Sequence, residues 1–211
     1  IESISNSTID YILSRNEQGA AHMASGYARV KKCAGVCLAT SGPGATNLIT
    51  GLATAYMDSI PMVALTGQVA LPLIGKDAFQ EVDIIGSTLP FTKHSYLVKD
   101  CDDIPRIVNE AFHIATTGRP GPVLIDFPVD VLKQESAGEK EDDTISLRGY
   151  KLPGKANESQ VRKVAEALKK ARKPLILAGG GVTCSDAVAE FRELIDKINI
   201  PVVSTMMGIG V

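Results

Sequence analysis

The chain has 211 residues, enough for more than one folding unit, and 45% of them are hydrophobic against 22% charged. That balance supports an apolar core and excludes a disordered or coiled-coil chain. Twenty-two basic against 24 acidic side chains give a net charge of -2 with no basic block and no tryptophan, which excludes an electrostatic case for nucleic acid or an anionic membrane and leaves small-molecule chemistry.

No apolar run reaches the ~18 residues a membrane helix needs, and the N-terminus has no signal-type pattern, so the chain reads as soluble and cytoplasmic. Cys33, Cys37, Cys101 and Cys184 lack paired spacing and read as reduced thiols. The start at Ile1 without a methionine and the stop at Val211 after a strand-like run read as a fragment.

In chain order, a short strand is expected at Tyr11–Leu13, then a helix over Glu17–Arg29 with Ala20, Ala21, Met23, Ala24 and Tyr27 at helical spacing. The run GVCLAT (35–40), the turn SGPG (41–44), helix-period residues through Tyr56 and the run PMVALTG (61–67) form a βαβ unit. Its near-continuous apolar strands predict a parallel sheet buried on both faces by helices. A long loop (69–87), a strand (92–98), a helix (104–117) and the strand PVLIDF (122–127) follow. From about 133 to 158 the composition turns charged and apolar residues become scarce, as in a linker. Beyond it come a helix (159–172), the strand PLILA (174–178), a GGGV turn, a helix (185–197) and the strand IPVVST (200–205). The fold class is therefore α/β, parallel-sheet and doubly wound: a first domain over 1–132, a linker over 133–158, and the start of a Rossmann-like domain over 159–211. Such units bind nucleotide-like cofactors at the carboxyl ends of their strands.

The turn Ser41-Gly42-Pro43-Gly44-Ala45-Thr46-Asn47 sits where an α/β protein places a ligand. Gly42 and Gly44 fit the start of a dinucleotide fingerprint, but Asn47 replaces its third glycine and no Lys-Ser/Thr follows for a phosphate loop. A nucleophile elbow fails because Ala39 stands where its first glycine belongs. A plain tight βα turn stays open beside these readings. Glu17, at a strand-to-helix turn before Gln18-Gly19-Ala20-Ala21, is a carboxylate that burial would push to a higher pKa. The alternative is an acidic residue complementing a helix dipole.

Taken together, Arg15 through His22, Gly26 through Arg29, Thr40 through Asn47, Asp58-Ser59-Ile60-Pro61 and Thr66-Gly67-Gln68-Val69 resemble the pyrimidine-binding domain of the thiamine-diphosphate enzymes, most closely the acetolactate synthase family's large subunits. Asp77-Ala78-Phe79-Gln80-Glu81, Thr92-Lys93-His94 and Thr117 through Val123 continue the likeness, and Ala178 through Gly181 with Ser204 through Gly208 resemble the family's central FAD-associated domain. The resemblance implies that Glu17 hydrogen-bonds N1′ of the aminopyrimidine, with Pro43, Gly44 and Asn47 lining the pyrimidine site. It implies that Gln80 and Phe79 project towards substrate and flavin, that Arg119 contacts FAD, and that Gly179, Gly180, Gly181, Thr205, Met206 and Met207 border the FAD nucleotide.

The implied activity is decarboxylation of pyruvate and its joining to a second 2-keto acid, pyruvate or 2-ketobutyrate, in branched-chain amino acid biosynthesis. Also implied are a homodimer or tetramer, a possible regulatory small subunit, and Mg2+ held in a diphosphate-binding domain outside these residues, so that the chain alone is inactive. The sequence departs from the family at Val129, where a lysine is expected, at Asn16 in place of a frequent histidine, and at Ala70-Leu71-Pro72. Those departures keep open another thiamine-diphosphate decarboxylase or carboligase, flavin-free or glyoxylate-using, and a non-catalytic nucleotide-binding module.

Overall fold

The computed structural model describes residues 2–138, 145, 147–152 and 154–211; the middle of the span read as linker, 139–144 with 146 and 153, lies outside the described residues. The chain divides into two units, Ile1–Leu152 and Pro153–Val211. Leu147 and Tyr150, within the span read as linker, pack on the core of the first unit.

After a short helical turn, α1 (Glu2–Ser5), the main elements of the first unit are α2 (Glu17–Lys31), β1 (Gly35–Ala39), α3 (Pro43–Asn47), α4 (Ile49–Met57), β2 (Met62–Gln68), α5 (Ile84–Thr88), β3 (His94–Leu97), α6 (Ile104–Thr116) and β4 (Pro122–Pro128). The four strands form one parallel sheet in the order β1-β2-β4-β3. Strand alternation sorts the side chains into two clusters. Met62, Ala64 and Leu124 face α2, α4 and α5 through Ala21, Ala24, Leu48, Leu52 and Ile84. Val63, Val123 and Ile125 face α6 through Ile107, Ala111, Ile114 and Ala115.

Small residues let α2 approach closely. A Cβ on Gly35 would strike the backbone carbonyl of Ala24, and one on Gly51 would strike the Ala21 side chain, so α2 lies tight on both β1 and α4. Asn16 caps α2: its Oδ1 accepts the Gly19 N–H at 3.0 Å.

Four sequence expectations are corrected. Tyr11–Leu13 is not a strand but open chain, with Ile12 and Leu13 more than four-fifths exposed, because no neighbouring strand there pairs with it. Burial on both faces holds for β2 and β4 but not for β1, an edge strand whose Val36 and Leu38 stay about half exposed. The helix expected through Tyr56 is broken at Leu48 into α3 and α4. The loop over 69–87 carries a 3-10 turn at Leu71–Leu73 and ends in α5, whose first turn the Asp83 carboxylate caps through Gly86 N–H.

The second unit contains α7 (Glu158–Lys170), β5 (Ile176–Ala178), α8 (Gly180–Cys184), α9 (Val188–Ile198) and β6 (Val202–Ser204), with β5 and β6 parallel. The GGGV turn is the N-cap and first turn of α8, and the following helix starts at Val188 and not at 185. Among the described residues no helix is long and apolar enough to cross a membrane, and all four cysteines are free.

Candidate functional site

The segments that follow β1 and β2 gather most of the first unit's expected site residues. Gly42 sits at φ +62°, which favours glycine, and a Cβ there would lie 2.8 Å from the Gln80 carbonyl oxygen. Gln80, itself left-handed at φ 59°, thus lays its backbone on the Gly42 turn. Pro43 follows as the first residue of α3, where its missing N–H costs nothing, and Gly44 is buried against the Thr40 methyl.

Asn47, at the end of α3, donates from Nδ2 to Glu17 Oε2 at 3.0 Å, joining residues 30 positions apart. That amide, then the backbone N–H of Glu17, holds the Glu17 carboxyl below the usual carboxylate range, against a smaller opposing push from burial. The expected upward shift is therefore corrected: Glu17 opens α2 at a half-open position where a hydrogen-bond donor outweighs desolvation. What the site offers is an ionised, oriented carboxylate beside a glycine-lined turn.

The segment Gly75–Asp83 is shaped by its own carboxylates. Glu81 accepts the Gly75 N–H through Oε1 and the Ala78 N–H through Oε2 at 2.9 Å, which lowers its pKa. Phe79, at the tip, is 89% exposed. Val129, just past β4, is exposed, and its N–H donates to the Gln68 carbonyl at 3.1 Å.

Arg119 is engaged within the first unit. Its Nε donates to Ser59 Oγ at 2.8 Å, its second terminal nitrogen to the Met57 and Tyr56 carbonyls at 3.3 and 3.4 Å, and its guanidinium lies 5.8 Å from the centre of the Tyr56 ring. It closes the C-terminal end of α4, where orphan carbonyls attract a cation.

In the second unit Gly179, at the end of β5, lies opposite Thr205, at the end of β6. A Cβ on Gly180 would come within 3.0 Å of the Met207 Cβ, so the chain's own packing accounts for that glycine, whereas around Gly181 the space is open. Thr205 and Met207 are exposed, and Met206 is 82% exposed. The donors there are few: α8 is only five residues long.

Sequence reasoning missed the most buried polar cluster. Asp126 is 1% exposed and accepts hydrogen bonds from Thr66 Oγ1 at 2.7 Å and Gln68 Nε2 at 3.0 Å. Burial, outweighing these donors, raises its pKa to about 6, with the nearby Asp83 pushing the same way. An aspartate inside the apolar run PVLIDFP was the available signal, but only the β2–β4 register, which sets Thr66 beside Asp126, assembles the cluster.

Residues 1–87 match the thiamine pyrophosphate enzyme N-terminal TPP binding domain, and residues 161–211 match the thiamine pyrophosphate enzyme central domain. The chain belongs to the thiamine pyrophosphate enzyme family. Within it, the chain is 53% identical over 203 residues to an acetolactate synthase of Arthrospira platensis, covering 96% of this chain and 35% of that protein. It is 55% identical over 200 residues to an acetolactate synthase of Mycobacterium bovis, covering 95% and 32%, and 52% identical over 203 residues to an acetolactate synthase large subunit of Buchnera aphidicola, covering 96% and 36%. The chain spans about a third of the length of these curated relatives.

Proposed function

We propose that this chain is the thiamine-diphosphate pyrimidine half and part of the central domain of an acetolactate synthase, which decarboxylates pyruvate and joins it to a second 2-keto acid. The observation that carries the reading is the Asn47–Glu17 hydrogen bond, 3.0 Å long, at the carboxyl end of the sheet beside Gly42 and Gln80. An ionised carboxylate so held fits an aminopyrimidine protonated on a ring nitrogen, whose N–H it can accept. Bound there, thiamine diphosphate supplies the electron sink that lets a 2-keto acid lose CO2 and bond to another carbonyl carbon.

The chain's own residues bind and orient. Glu17 would accept a hydrogen bond from a protonated ring nitrogen of the pyrimidine, because a carboxylate with a lowered pKa keeps its charge at neutral pH. Asn47 fixes the carboxylate's orientation. Pro43 and Gly44 leave room for the ring, and Gln80 and Phe79 face the substrate side from the loop above. The reading extends to 2-ketobutyrate as second acceptor, to branched-chain biosynthesis in the cytoplasm, to a homodimer or tetramer with a regulatory small subunit, and to Mg2+ bound outside these residues.

FAD belongs to the same proposal. Gly179, Gly181, Thr205 and Met206 would border it, supported by Gly179 and Thr205 at the ends of adjacent parallel strands and by open space at Gly181. Gly180 and Met207 pack on each other, and Arg119 would reach a flavin only by giving up its contacts to the end of α4.

The test is acetolactate formation from pyruvate, thiamine diphosphate and Mg2+, with and without FAD, by the polypeptide that carries these residues, beside its Glu17→Gln variant. Acetolactate production that falls by about 10²-fold or more in Glu17→Gln supports the reading. Acetaldehyde as the sole product would move the assignment to a decarboxylase, acetolactate undiminished in the variant would remove Glu17 from the chemistry, and no product from either protein would leave a nucleotide-binding module. The 211 residues assayed alone are expected to form no acetolactate.

A further inference from the structure

A cavity of about 270 Å³ lies over the carboxyl ends of β2, β3 and β4. Its lining includes Asp126 and Gln68 from the strands, and Gly75, Glu81 and Val82 from the loop that carries Phe79 and Gln80. The position follows from topology. The connections after β1 and β2 pass over the face of α4 and α5, whereas α6, which follows β3, covers the opposite face. Between β2 and β3, the strands that flank β4, the connections therefore change sides, which is where open α/β sheets leave a crevice.

Val82 packs its side chain on the core beside the cavity, and polar contacts hold its backbone. Gln68 supplies them with every hydrogen-bonding group of its amide accounted for. Nε2 donates to the Val82 carbonyl at 2.8 Å and to Asp126 Oδ2 at 3.0 Å, while Oε1 accepts the Val69 N–H at 2.9 Å. Thr66 Oγ1 donates to the other carboxylate oxygen at 2.7 Å. The amide has one satisfactory orientation: turned over, it would set NH2 against the Val69 N–H and its oxygen against both the Val82 carbonyl and the Asp126 carboxylate.

We infer that Asp126 and Gln68 are positioning residues: Asp126 locks the Gln68 amide, and the locked amide anchors Val82, so that the Gly75–Asp83 loop lays Gln80 on the Gly42 turn. What the loop faces rests on the function proposed above; the anchoring does not. The requirement on residue 126 is an acceptor facing Gln68, not a negative charge. An asparagine meets it by turning its oxygen to Gln68 and its NH2 to the Thr66 hydroxyl, which accepts as readily as it donates. An alanine cannot.

The experiment is amide hydrogen exchange on the polypeptide that carries these residues and three variants, Asp126→Ala, Asp126→Asn and Gln68→Met, followed at Gly75, Ala78 and Glu81 and in the core of β2 and β4. The Gly75 and Ala78 N–H groups donate to Glu81 and the Glu81 N–H to the Ala78 carbonyl, so all three report the loop. Asp126→Ala is expected to speed exchange of these amides about tenfold relative to Met62–Ala64 and Val123–Leu124, the effect of leaving one buried donor without its acceptor. Asp126→Asn restores the slow rate, and Gln68→Met repeats the alanine result, which keeps the test open where Asp126→Ala does not fold. Equal acceleration in loop and strands, a loop unchanged by Gln68→Met, or an Asn variant no better than Ala would each overturn the inference. Failure of the thiamine reading leaves these rates untouched, so the two are separable.

Discussion

Asn16 and Asp126 illustrate how far a single residue's neighbours decide its role. The Asn16 side chain caps α2 one residue before Glu17. Asn16→Ala is expected to lower stability by about 1 kcal/mol in urea unfolding, the usual cost of a lost N-cap. For Asp126 the sign of the pH effect is opposite to that of most acids. Its pKa is raised from the ordinary value near 4 to about 6, so between those pH values the folded state holds a proton that the unfolded state has released. Stability from this group is present below about pH 4 and is lost as pH rises to about 6. Asp126→Asn removes that loss while keeping both hydrogen bonds, and is expected to be about 2 kcal/mol more stable than the parent at about pH 7.5, with the gap closing towards about pH 4. Urea midpoints at the two pH values measure it; a gap that widens towards acid would refute the assignment. Glu17 runs the other way, its lowered pKa adding stability that is lost as pH falls through its folded value.

Among the elements, α2 shows what small residues do. Gly51 of α4 meets Ala21 with no room for a methyl group, so Gly51→Val is expected to cost about 1–3 kcal/mol by overpacking, read as a lower thermal midpoint. Gly26, on the same helix as Ala21, has nothing within 4 Å of the place a methyl group would take. Gly26→Ala should raise stability by about 0.5–1 kcal/mol, because only helix propensity changes there. The pattern of apolar runs announced β1, β2, β4 and α6 to within a residue or two, since periodicity is local information. Tyr11–Leu13 failed for the converse reason: a strand exists only when paired, and its three apolar residues stay in water.

On the scale of the molecule, the two units differ in how much they bury. The first holds two clusters of buried side chains on either side of its sheet, whereas in the second the buried apolar side chains among the described residues are Ala178 and Ile200. Val161, Val164, Leu175, Leu177 and Val203 are exposed. Hydrogen exchange is therefore expected to be at least about 10²-fold faster in β5 and β6 than in β2 and β4, since protection follows local burial. Equal protection in the two sheets would contradict this.

Taken alone, the sequence determined the α/β class, the order of the main elements and the turn Pro43-Gly44 to Asn47 with Glu17 as residues to watch, because apolar period and glycine placement are written along the chain; Gln80 came from the family resemblance. Tertiary structure decided what those residues touch. It joined Asn47 to Glu17 and turned the carboxylate's pKa down instead of up. It set Gln80 on Gly42 and bound Arg119 to the end of α4. It alone brought Thr66, Gln68 and Asp126 together, since the register between two parallel strands some 60 residues apart depends on the packing of both faces and leaves no mark on either strand read by itself.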